Sequence, residues 1–132
     1  MARVNVTLSG TDALVRVLAR GGKDVVPVVG RAIHEEALLI FDESQSEVPY
    51  RYGYLAGSGM VDPPVVTGSN VEVQIGYGGA AAPYALMVHE SRDKKFRNGR
   101  KSKYLEDPVM RAVGRFGDSV GRRVDSYLRS GL

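Results

Sequence analysis

Between residues 71 and 77 every second side chain is large and apolar: Val71, Val73, Ile75 and Tyr77, with Glu72 and Gln74 among those between them. A period of two belongs to a strand with one face in a core and the other in water. The preceding TGSN, residues 67–70, has the composition of a hairpin turn, so this strand is the returning arm of a hairpin. The arm ends in Gly76, Gly78 and Gly79 and runs into AAAPYALMVHE, residues 80–90, which together resemble half of a dinucleotide-binding loop. Such a loop needs a parallel βαβ unit, with an acidic residue ending the second strand about 20 residues later. Here the strand is a hairpin arm, and DKKFRNGRKSK, residues 93–103, occupies the place of the second strand. The hairpin therefore argues against a cofactor cradle, and the glycines read as a turn by which the chain leaves the sheet.

The same patterning places the other elements. Val4, Val6 and Leu8 alternate with Arg3, Asn5 and Thr7, which predicts a strand over residues 3–9. Thr11 and Asp12 can cap a short helix whose Leu14, Val17 and Leu18 share a face before Gly21 and Gly22 stop it. Asp24 can cap a longer helix that tolerates Pro27 in its first turn and repeats Val29, Ile33, Ala37, Ile40 and Phe41 at helical spacing to about residue 46. Residues 49–59 read as an ordered turn, leading to a strand around residues 59–66 that Pro63 and Pro64 put at an edge or break. Pro83 can start a short helix to Glu90. From Leu105 the stripe Val109, Ala112, Val113, Phe116, Val120, Val124, Tyr127 and Leu128 predicts one long amphipathic helix. The expected fold is α+β and a single domain over residues 1–132. A small antiparallel sheet, made of the N-terminal strand plus the hairpin, packs against a long N-terminal helix and a long C-terminal amphipathic helix.

Few chemistries remain open to such a chain. It has no cysteine, which removes disulfides, thiolate metal sites and a cysteine nucleophile. No apolar run approaches the roughly 20 residues of a membrane span, and MARVNVTLSG lacks the apolar stretch of a signal peptide, so a soluble protein without membrane partners is expected. His34-Glu35-Glu36 is the first half of a zinc-protease helix, but Leu38 stands where the second ligand belongs, and His89-Glu90 is the only other histidine site. Glu72, Glu90, Asp93 and Lys95 lack the spacing of a hairpin metal site, and no serine sits in a nucleophile elbow. The expectation is a non-enzyme with no catalytic residue, cofactor or metal.

Charge is concentrated. The net of +3 hides a basic loop at residues 92–103, where Arg92, Lys94, Lys95, Arg97, Arg100, Lys101 and Lys103 stand against Asp93 alone. On the last helix Arg111, Arg115, Arg122 and Arg129 fall within about 40° of each other at ~100° per residue, with Asp118 and Asp125 in the same sector. Spacing of that kind describes a solvated face with weak ion pairs or, using the same residues, a charged subunit interface.

Three segments combine into a family resemblance. PYRYGYLAGS at residues 49–58 resembles the P-x-x-T-G-x-L-R-x-S motif of neck and tail-completion proteins of long-tailed bacteriophages, a group of minor capsid and head-tail connector components. PYALMVHE at 83–90 is similar to that family's Y-A-x-x-V-x-E segment, and KYLEDPV at 103–109 to its aromatic-Leu-x-x-Pro segment opening the last helix. The matching positions are Pro49, Gly53, Leu55 and Ser58, then Tyr84, Ala85, Val88 and Glu90, then Tyr104, Leu105 and Pro108. Tyr52 stands where that family has threonine and Ala56 where it has arginine.

The resemblance implies a structural virion protein, assembled in the host cytoplasm. It would form a homo-oligomeric ring, six-fold around the DNA channel, at the neck between head and tail. Its partners would be the adjacent connector or stopper and the tail terminator or tail tube, with non-specific proximity to genomic DNA. The basic loop would then face either the DNA or an acidic surface on the adjacent ring. The alternative reading is a small DNA-binding or DNA-processing protein acting through residues 92–103.

Overall fold

The computed structural model describes residues 3–10, 26–49, 53–67, 70–79, 82–90 and 100–130. The expected short helix carrying Leu14, Val17 and Leu18, the Asp24 cap, Tyr52, the Gly68-Ser69 turn and the cations Arg92, Lys94, Lys95 and Arg97 all lie outside the described residues.

The chain forms an α+β fold whose central strand is the alternating stretch. Strand β1 (Arg3–Gly10) runs antiparallel to β4 (Asn70–Gly78), with Arg3 opposite Gly78 and Gly10 opposite Val71. On the other side of β4 lie two short strands, β2 (Met60–Val61) and β3 (Val65–Thr67), both antiparallel to it. The strand expected over residues 59–66 is thus split in two. Pro63 and Pro64 cannot donate to the ladder, and Pro64 instead lies against helix α1 (Val26–Glu47), where a Cβ on Gly30 would sit 3.3 Å from it.

The period-two pattern converts directly into burial. Val71, Val73, Ile75 and Tyr77 are all at most 1% exposed, whereas Glu72 and Gln74 face water. Helix α1 lies over this inner face and buries Val29, Ile33, Ala37 and Ile40, with Phe41 half-buried beside them. A flank of α1 beside this buried face, carrying Glu35, Glu36, Glu43 and Glu47, meets the C-terminal helix, while Leu38, Leu39 and Asp42 on its far side are exposed.

Residues 54–57, expected within an ordered turn, form a one-turn helix α2 (Tyr54–Gly57). Its start is set by Gly53, whose φ of 83° is a left-handed conformation that a side chain would resist. The short helix α3 (Ala85–Glu90) follows the Pro83-Tyr84 turn. The last helix, α4 (Glu106–Arg129), has Glu106 and Asp107 at its positive end and Arg129 at its negative end, the polarity the helix dipole favours.

Helix α4 packs antiparallel on α1. Arg111 meets the end of α1 at Glu47 and Glu43, while Arg123 meets its middle at Glu35, 2.8 Å away, and Glu36, 3.6 Å away. Full burial is confined to Pro108, Ala112, Val120 and Val124, with Val109, Phe116, Tyr127 and Leu128 half-buried beside them. Val113, expected on the buried stripe, is 59% exposed, because a helix packed on one neighbour buries a narrower stripe than its apolar pattern covers.

Candidate functional site

The three segments that carry the family resemblance meet around one buried aromatic column. Tyr77, at the end of the central strand, stacks on Phe41 of α1 at a centroid distance of 5.8 Å and meets Tyr104 edge-on at 5.1 Å. Tyr104 in turn meets the His89 ring edge-on at 4.9 Å. Four rings from α1, β4, α3 and the approach to α4 are therefore stacked in sequence, a geometry that adds to the burial of their area.

Every polar tip in this column has a partner. The Tyr77 hydroxyl lies 2.8 Å from Ser44 Oγ and accepts from Gln45 Nε2 at 3.0 Å, and the same amide donates to the Ala56 carbonyl of α2. Burial pushes the Tyr77 phenol up, and the Ser44 and Gln45 hydrogen bonds partly oppose it. The Tyr104 hydroxyl donates to the Ala85 carbonyl at 2.8 Å, inside a site where both residues are fully buried. Burial likewise raises the Tyr104 phenol far above its ordinary value.

The first segment is joined to the sheet through Ser58. Its hydroxyl donates to the Leu55 carbonyl at 2.6 Å and accepts from the Gly78 N–H at 3.0 Å, so one oxygen links α2 to the end of β4. Gly78 and Gly79 follow with φ of 115° and 86°, the left-handed half of backbone space that turns the chain out of the sheet. The glycine run thus has a backbone reason of its own. Gly76 adds a close approach, since a Cβ there would lie 2.4 Å from Asn5 Oδ1.

The second and third segments are joined through His89, which is 4% exposed. Its Nε2 accepts the Glu106 N–H at 3.2 Å, and its Nδ1 lies 3.1 Å from Glu90 Oε1. An acceptor Nε2 fixes the neutral Nδ1-protonated tautomer, with Nδ1 donating to Glu90. The start of α4 has no side-chain cap of its own, and His89 supplies one from another element. Lys103 completes the corner. It adopts φ 55°, donates its N–H to the His89 carbonyl at 2.8 Å, and places its ammonium on Glu90 and 3.7 Å from Glu106. That ammonium, with His89 second, holds the Glu90 carboxyl below its ordinary range, and Glu90 correspondingly raises Lys103.

The described part of the basic loop is engaged within the chain. The Arg100 guanidinium donates to the Gln45 and Val48 carbonyls at the end of α1, where a helix leaves its last carbonyls without partners. Lys101 donates its N–H to the Glu47 carbonyl at 2.8 Å, and its ammonium pairs with Asp107 and lies 3.9 Å from Glu47. Together with Lys103, these cations tie the loop's C-terminal end to α1, α3 and α4.

Of the family positions, Leu55, Ala85, Tyr104, Leu105 and Pro108 are buried, Pro49, Gly53, Ser58 and Val88 are half-buried, and Tyr84 and Glu90 reach the surface. Ala56, where the resembled family carries arginine, is 7% exposed against the core. The four α4 arginines expected to share one face, Arg111, Arg115, Arg122 and Arg129, divide. Arg111 pairs with α1, Arg115 donates to the Arg111 carbonyl, Arg122 to Ser119 Oγ at 3.4 Å, and Arg129 pairs with Asp125 one turn earlier.

A second polar cluster, absent from the sequence reading, joins Glu35, Arg123, Tyr127 and Arg31. Tyr127 donates to Glu35, and Arg31 lies 4.1 Å over the Tyr127 ring. The Tyr127 hydroxyl is the main reason the Glu35 carboxyl titrates low, against the opposing effect of burial. Among the described residues no group of three or more His, Asp or Glu is placed to hold a metal ion, and His34 and His89 stand on different helices.

Comparison with known proteins adds no relative: no family model, no curated protein and no solved structure matches this chain. Among the described residues no helix is long and apolar enough to cross a membrane.

Proposed function

We propose that this chain is a non-enzymatic structural subunit of a ring at the head-tail junction of a tailed bacteriophage, joining the connector to the tail terminator around the DNA channel. The observation that carries the reading is the convergence at the aromatic column. Three segments chosen for their likeness to one family's motifs, 49–58, 83–90 and 103–109, are distant in sequence, yet they are tied into one corner. Ser58 binds the end of β4, Tyr104 binds Ala85, and Lys103 binds His89 and Glu90.

A motif set of this kind specifies a shape. The Ser58 and Tyr104 hydroxyls are turned inward onto backbone partners, as a scaffold requires, while the Lys103–Glu90 pair closes the corner at the surface. Arg100, Lys101 and Lys103 already have carbonyl or carboxylate partners within the chain, so contact of the basic loop with an acidic surface on the adjacent ring, the preferred reading, falls to its other cations.

The test replaces Arg92, Lys94, Lys95 and Arg97 by glutamine, leaving the internally paired Lys101 and Lys103 in place, and scores particles. Failure to join filled heads to tails, with packaged DNA length unchanged, is the expected outcome. Intact joining with loss of DNA from filled heads would move the loop to the channel.

A further inference from the structure

We draw no further inference here: the strongest candidate, the outward flank of helix α4 where exposed Met110 and Val113 run beside Gly114, Gly117 and Gly121, is an unpartnered small-residue face, and nothing in the structure shows what covers it.

Discussion

Replacing Tyr104 by phenylalanine removes one oxygen and leaves the rest of the column in place. The ring still meets Tyr77 at 5.1 Å and His89 at 4.9 Å, so neither the aromatic packing nor the buried volume changes appreciably. What is lost is the 2.8 Å bond to the Ala85 carbonyl, whose residue is fully buried. The Ala85 carbonyl keeps its helical partner, the His89 N–H one turn on in α3, so what is lost is one hydrogen bond, about 0.5–1.5 kcal/mol net. Tyr104→Phe should therefore destabilise by about 0.5–1.5 kcal/mol. At ~2.1 cal/mol/K of unfolding entropy per residue, a chain of 132 residues loses roughly 4 °C of melting temperature per kcal/mol, so the midpoint should fall by about 2–5 °C. Urea unfolding should show a lower midpoint at unchanged slope. The control is Tyr84→Phe, on a side chain that is 38% exposed, which should stay within about 0.5 kcal/mol of the parent. Equal effects of the two substitutions would refute the reasoning, since the Tyr104 hydroxyl would then have no special partner.

Three further expectations follow from the same corner and its supports. Gly78→Ala forces a side chain onto φ 115° and should cost about 1–3 kcal/mol, whereas Gly114→Ala, with open space around it inside α4, should gain about 0.5–1 kcal/mol; chemical denaturation of both gives the contrast. Arg100→Ala strips a donor from the end of α1 and should lose about 1–2 kcal/mol, measured the same way, with a loss below 0.3 kcal/mol counting against the contact. Glu90 titrates below 4.5 in the folded chain, so its contribution is present above that value and disappears as pH falls through the lowered pKa. Lys103 titrates above 10.5, so its contribution is present below that value and disappears as pH rises through the raised one. Melting temperature against pH should have a plateau between these limits, and Lys103→Met should soften both shoulders; unchanged shoulders would mean the pair does not form.

How much of this was legible in the sequence depended on which atoms carried the signal. The strand at 71–77 was readable because alternation is a property of side chains alone, and each of its four apolar positions is buried. The long helices followed from period and from proline at their starts. The split of the strand at 59–66 was half legible, since Pro63 and Pro64 announced a break but not the docking of Pro64 on Gly30. The helical turn that Gly53 opens was not readable, because four residues are too few to show a period.

The polar ties were the least legible. Ser44 continues the buried stripe of Ile33, Ala37 and Ile40, and a hydroxyl on such a stripe signals a buried partner, but sequence does not say that the partner is Tyr77, 33 residues away. His89 drew attention as a metal ligand, although both ring nitrogens are taken up in capping α4 and holding Glu90. A ring that bonds a backbone N–H from a distant segment leaves no local spacing to detect. The basic loop looked uniform by composition, yet Arg100, Lys101 and Lys103 anchor it to carbonyls and carboxylates supplied by helices on either side.

The central claim, a structural ring at the neck, is tested most directly by counting this chain in purified, DNA-filled particles by quantitative mass spectrometry against the portal protein, with an image of the neck to place it. About six copies per particle, or a small multiple that closes a ring, located between connector and tail, is the result the proposal predicts. Absence of the chain from particles that are otherwise complete and infectious would contradict it.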